Sequence, residues 1–276
     1  MRNKLLREVN AVITIAMRDI ALCLKSPGKL IQCLIMPVMF LGMFGGQLSQ
    51  NMGSNMGFDF NTFMLVGMLV QGIFMIMGTG IVSLVEDRVM DFSQEILVSP
   101  VSRYSIIIGK IAGAAFASYL TFFFTIGVGY AIGARLDIAQ FFILLAFSPL
   151  MCLAAGALGV VCIGFIQKAA TAGIVIMMLS MAQTFLSGAL IPVNHSTGVM
   201  AVVSRLLPMT YCVDFMRGVF YQNGSLSATG DVFAGGGLSA AVTLHSPVFN
   251  LAIIVAFTAL FLIAGTAGFV RAEKNR

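Results

Sequence analysis

Over its 276 residues the chain is 59% hydrophobic and only 10% charged, with a mean hydropathy of +0.98. A soluble domain carries about a quarter charged residues, so this chain lies outside that class and most of it has lipid as its solvent. The net charge of +5 needs no nucleic-acid partner, because the excess gathers in segments that anionic lipid attracts.

In chain order, residues 1–28 come first. Leu5, Leu6, Val9, Val12, Ile13, Ala16, Met17, Ile20, Ala21 and Leu24 share one helical face, and Arg7, Glu8, Asn10, Arg18 and Lys25 fall mainly on the other. This pattern predicts a helix lying in the membrane interface rather than crossing it. "KSPGK" at 25–29 then breaks the helix and turns the chain into a first span. A bilayer core needs about 20 apolar residues per helix, and runs of that kind occupy 30–48, 61–85, 105–133, 138–166, 170–191 and 247–270. None of them alternates at period two, so a β-barrel is not expected. The fold class is therefore all-α integral membrane, one transmembrane domain over 1–276.

Between the second and third runs, "EDRVMDFSQEILVSPVSRYSIIIGK" (86–110) concentrates charge in a chain that has little. Val85, Val89, Phe92 and Ile96 line one side of a short helix, with Glu86, Asp87, Asp91 and Glu95 near the other. Such a knob suits capture by a soluble protein, or is a solvated loop; spacing alone favours neither. Pro100 stops the helix and Arg103 opens the next span.

In the fifth span Ser180, Gln183, Thr184 and Ser187 cluster within two turns. They either line a passage or hydrogen-bond between helices. Gly42 with Gly46, Gly109 with Gly113 and Gly129 with Gly133 permit close helix approach. The segment 192–223 is too polar and too interrupted by Pro192 and Pro208 to span. It holds two short apolar faces, Val199, Val202, Val203, Leu206 and Leu207, then Met209, Val213, Met216 and Phe220. A Gly-, Ser- and Ala-rich loop follows before the last span.

With the N-terminus inside, inner segments hold Arg2, Lys4, Arg7, Arg18, Lys25, Lys29, Arg88, Arg103, Lys110, Lys168, Arg271, Lys274 and Arg276. Outer segments hold only Arg135, Arg205 and Arg217, so both termini are expected in the cytoplasm. The cysteines have no CxxC spacing, and His195 and His245 stand alone in outer loops; neither a disulfide framework nor a metal site is expected. No run carries His, Asp or Glu near its centre, which argues against intramembrane hydrolysis and against an ion-coupled carrier. No GxxxxGK[ST] phosphate loop exists, so energy must come from a partner.

The stretch Glu95, Leu97, Val98, Ser99, Pro100, Val101, Ser102, Arg103, Gly109, Lys110 resembles the signature of the ABC type-2 exporter permeases: acidic and basic residues, then "E-x-LLVTPVSR", then an apolar stretch ending in "GK". The resemblance implies an N-terminal interfacial helix, six spans, a cytoplasmic coupling helix over 86–103 and an outer re-entrant helix pair over 192–223 with Arg205, Asp214 and Arg217 at the interface. It further implies a permease pair, homodimer or heterodimer, in a prokaryotic plasma membrane, driven by separate ATPase subunits that carry the ATP and Mg. Glu86, Asp87, Arg88, Asp91, Glu95 and Pro100 would then serve ATPase coupling, and Arg103 would anchor at the inner phosphate layer. The chain itself would have no catalytic residue, no metal and no cofactor. Lipophilic or amphipathic cargo, drug-like or lipid, is the expected substrate. Export of a polysaccharide or lipid-linked glycan, or action as an ATPase-independent channel or carrier, are the alternatives.

Overall fold

The computed structural model describes residues 2–45, 60–89, 102–134, 136–164, 166, 168–190, 199–223 and 244–274, and every regular element among them is helical. These are α1 (Arg2–Lys25), α2 (Pro27–Pro37, continuing as a π-helix over Val38–Gly45), α3 (Phe60–Val89), α4 (Arg103–Ala131), α5 (Ile138–Gly164), α6 (Ala169–Leu186), α7 (Val199–Leu206), α8 (Pro208–Asn223) and α9 (Pro247–Lys274). Among the described residues five helices, α3, α4, α5, α6 and α9, are long and apolar enough to cross a membrane, or up to 6 if the bent pair of α1 and α2 counts as one span. The all-α membrane fold is what the hydropathy predicts.

The bend between α1 and α2 is 81°. Ser26 is extended (φ −100°, ψ 100°) and Pro27 opens α2 at a position where its missing N–H costs nothing. Further on, Pro37 removes a donor from the i→i−4 ladder, and the helix widens to π geometry from Val38. The first span is thus less regular than an uninterrupted apolar run suggests.

At its start α4 is capped by Ser102, whose hydroxyl accepts from the Ser105 N–H at 3.2 Å. It ends in a Schellman turn, with Gly133 at φ +86° and the Ala134 N–H bonded to the Gly129 carbonyl at 3.0 Å. Gly188, at φ +83°, ends α6 in the same left-handed conformation.

α3 is the central helix: 89% of its most apolar window is buried, against 22% for α6 and for α9. It packs against α4, α5 and α6; α5 packs against α9; and α8 wedges between α9, α3 and α5. Close approaches at small residues allow this. A Cβ on Gly80 would meet the Ala114 Cβ at 2.6 Å, and one on Gly129 would meet Leu65 at 2.5 Å. At one end of the bundle, α3 finishes and α4 begins against α1; at the other lie α7, α8, the end of α6 and the start of α9.

Candidate functional site

The end of the bundle that carries α1 is built from two matched stripes. On α1, Glu8, Val12, Ile15 and Asp19 recur at helical spacing; on α4, Ser102, Ser105, Gly109 and Gly113 do the same. Glu8 accepts from the Ser102 N–H at 3.0 Å and from the Ser105 hydroxyl at 2.7 Å, placing a carboxylate over the N-terminus of α4. These bonds, the Ser105 hydroxyl first, hold its pKa below the usual 4.5. Gly109 receives Ile15 and the Val12 carbonyl at 3.0 and 3.1 Å from where a Cβ would stand, and Gly113 receives the Asp19 Cβ at 2.7 Å. The glycine pair is a groove for α1.

Beyond the groove lies a charged knot. Lys110, only 2% exposed, reaches Asp87 at 2.5 Å, Asp19 at 3.0 Å and the Ser83 hydroxyl at 3.1 Å. Arg18 closes on Asp87 with two bonds, 2.8 and 3.1 Å. Two cations and two carboxylates give a neutral quartet that ties α1 to the last turn of α3 and the second turn of α4. With that pairing, four charges can sit in a largely dry place.

The face of α1 turned from this contact is apolar and open. Leu6, Val9, Ile13, Met17 and Leu24 are exposed. Val12, Ile15 and Asp19 instead serve α4, and Glu8 and Arg18, which the sequence places mainly on the face opposite the apolar one, are bonded within the chain.

Of the residues expected to couple to an ATPase, Glu86 is exposed on the last turn of α3, while the Asp87 carboxylate is occupied by Arg18 and Lys110. Arg88 closes the same turn and Arg103 begins α4. Asp91, Glu95 and Pro100 lie outside the described residues. Sequence reasoning missed Glu8, Arg18, Asp19, Ser83 and Lys110 as a set. The available signal was an Arg-Asp pair inside an apolar helix and a lysine seven residues into a span.

At the opposite end, α8 is buried along Met209–Phe220. Arg217 stacks 3.4 Å over the Phe63 ring and donates to the Gly188 and Ala189 carbonyls at 2.8 and 2.9 Å, so it caps the end of α6. Asp214 accepts from the Leu244 and His245 N–H groups at 2.7 and 2.9 Å and from Asn250 at 2.7 Å, so it holds the start of α9. Asp214 and Arg217 are both buried within the bundle, because α8 is enclosed by spans whose backbone ends supply their partners. Arg205 alone is exposed.

Gln183, Thr184 and Ser187 are buried and Ser180 half-buried. Thr184 accepts from the Gln71 amide at 3.0 Å and donates to the Ser180 carbonyl at 2.7 Å, so this cluster joins α6 to α3. The outward face of α6 is instead Ile174, Met177, Met178, Met181 and Phe185.

These features define a multi-pass helical membrane protein whose N-terminal helix is clamped to the second and third spans and whose far end is tied by a buried helix. The family model described as ABC-2 type transporter matches residues 10–221, and the chain belongs to that family. The match runs from within α1 into α8 and so includes all four residues of the charged quartet, Arg18, Asp19, Asp87 and Lys110. No curated protein matches the chain at a significant level. The family is one of transport subunits that lack an ATPase domain and work, in general, with a partner ATPase.

Proposed function

We propose that this chain is the membrane subunit of an ATP-driven exporter, moving a lipophilic or amphipathic substrate, drug-like or lipid, out of a prokaryotic cell. It works as a pair of permeases above separate ATPase subunits, with both termini in the cytoplasm and the segment 86–103 gripped from below. The observation that carries this reading is the Arg18–Asp87–Lys110–Asp19 quartet. It fastens α1 to both helices that flank residues 90–101, so a force applied to that segment moves α1, α3 and α4 together. Without such a clamp, a push on a surface loop would be absorbed locally.

The open apolar face of α6 supports the pair. Met177, Met178, Met181 and Phe185 offer adaptable apolar surface to a second copy and to passing cargo. Binding energy for the outward-open state comes from ATPase contacts, which shift a two-state balance.

Co-purification of the tagged chain from its native membrane, with mass spectrometry of the eluate, tests the partnership. A Walker-motif subunit recovered in stoichiometric amount, and released by the double change Asp91→Lys and Glu95→Lys, is the expected result. A chain that emerges alone supports the channel or carrier alternative.

A further inference from the structure

A cavity of about 120 Å³ opens beneath the bend between α1 and α2, walled by α3 and α4. Its floor is the neutral quartet: Asp19, Asp87 and Lys110 line it, Arg18 balances Asp87, and Ser83 stands beside Lys110. Its side walls are small or apolar, among them Cys23, Cys33, Ile76, Ala114 and Ala117. Two further charges line it, Lys29 from α2 and Glu86 from α3, both exposed. Neither makes an ion pair or side-chain hydrogen bond among the described residues. Once the quartet is set aside, one cation and one anion remain unused on the same cavity.

The volume is well below the roughly 300–1,000 Å³ of a drug-sized pocket, and it suits a headgroup rather than a whole amphiphile. Leu22 lines the cavity and is itself exposed, and Leu24, Ile31, Leu34 and Ile35 continue an exposed apolar surface along α1 and α2. Acyl chains would lie there, outside the cavity. We propose that this cavity binds the headgroup of a zwitterionic phospholipid, with its phosphate on Lys29 and its ammonium on Glu86, the lipid bridging α2 to α3 across the bend. An anionic headgroup would satisfy Lys29 and oppose Glu86; a free cation would do the reverse. Balanced charge therefore selects the zwitterion. The proposal requires a membrane-embedded chain and is independent of what is exported.

The test is native mass spectrometry of the full-length protein in detergent, titrated with phosphatidylethanolamine, with phosphatidylglycerol of the same acyl chains, and with soluble phosphoethanolamine. Phosphatidylethanolamine is expected to bind at least about tenfold more tightly than either of the other two, a difference of about 1.4 kcal/mol. Lys29→Ala should remove most of that preference. Glu86→Lys, which makes both unused charges positive, should reverse it in favour of phosphatidylglycerol. Both positions are exposed, so elution of the variants at the wild-type volume is expected and checks that they fold. Equal binding of the two lipids to the wild type would overturn the proposal, as would variants that keep the wild-type order. Soluble phosphoethanolamine binding as tightly as the lipid would overturn the lipid source.

Discussion

Replacing Lys110 by Met deletes one ammonium and keeps most of the side-chain volume. The loss falls unevenly on its partners. Asp87 keeps its two bonds from Arg18, but Asp19 loses the one ion pair it makes among the described residues, at 3.0 Å, and its side chain is only 12% exposed. Breaking a buried pair by removing one partner costs about 3–5 kcal/mol, and the remaining exposure of Asp19 and Asp87 brings the expectation to about 2–4 kcal/mol. Lys110→Met combined with Asp19→Asn leaves a neutral Arg18–Asp87 pair and removes the stranded charge. The double variant should therefore be less destabilised than the two single changes summed, by about 1–3 kcal/mol. Unfolding in detergent can be followed with a thiol-reactive dye, since Cys23, Cys33, Cys152 and Cys212 are buried. A Lys110→Met protein that melts with the wild type, or a cycle additive to within about 0.5 kcal/mol, would refute the reasoning.

Gly113→Leu should push α1 off α4, because even a Cβ there meets the Asp19 Cβ at 2.7 Å; limited proteolysis should then cut α1 faster, while Gly28→Ala, with open space around it, should not change the rate. Arg217→Met strips the Gly188 and Ala189 carbonyls of their donors and should cost about 2–4 kcal/mol of thermal stability, and Arg217→Lys should rescue it only partly, since an ammonium cannot stack on Phe63 with the same two-pronged fork. Glu8 should make docking of α1 pH-dependent. Its folded pKa is depressed, so its contribution is fully present above about pH 4.5 and fades as pH falls through the lower folded value; protection of α1 from proteolysis should follow that course and lose it in Glu8→Gln.

Much of this architecture was legible from periodicity and hydropathy. Residues 61–85 and 138–166 are apolar all round and emerge as α3 and α5, since only a helix satisfies its own backbone in lipid. "KSPGK" marks the bend because Pro27 pre-sets a helix start and Ser26 can extend. Partnership among charges was not legible. Lys110 stands 91 residues from Asp19, and Arg18 stands 69 from Asp87, separations over which local spacing carries no information. The same holds for Arg217, whose partners are carbonyls at the end of another helix and so leave no mark in residue type. Gly109 and Gly113 did announce close packing, but not that the N-terminal helix α1 would fill the groove.

The most direct measurement is substrate flux in proteoliposomes that contain the chain with its co-purified ATPase, with and without ATP, for the wild type and for the Asp91→Lys, Glu95→Lys double variant. Export that requires ATP in the wild type, and is lost in a folded double variant whose ATP hydrolysis no longer responds to the permease, is the predicted result. Equal flux without ATP, or a double variant that exports like the wild type, would contradict coupling through residues 86–103.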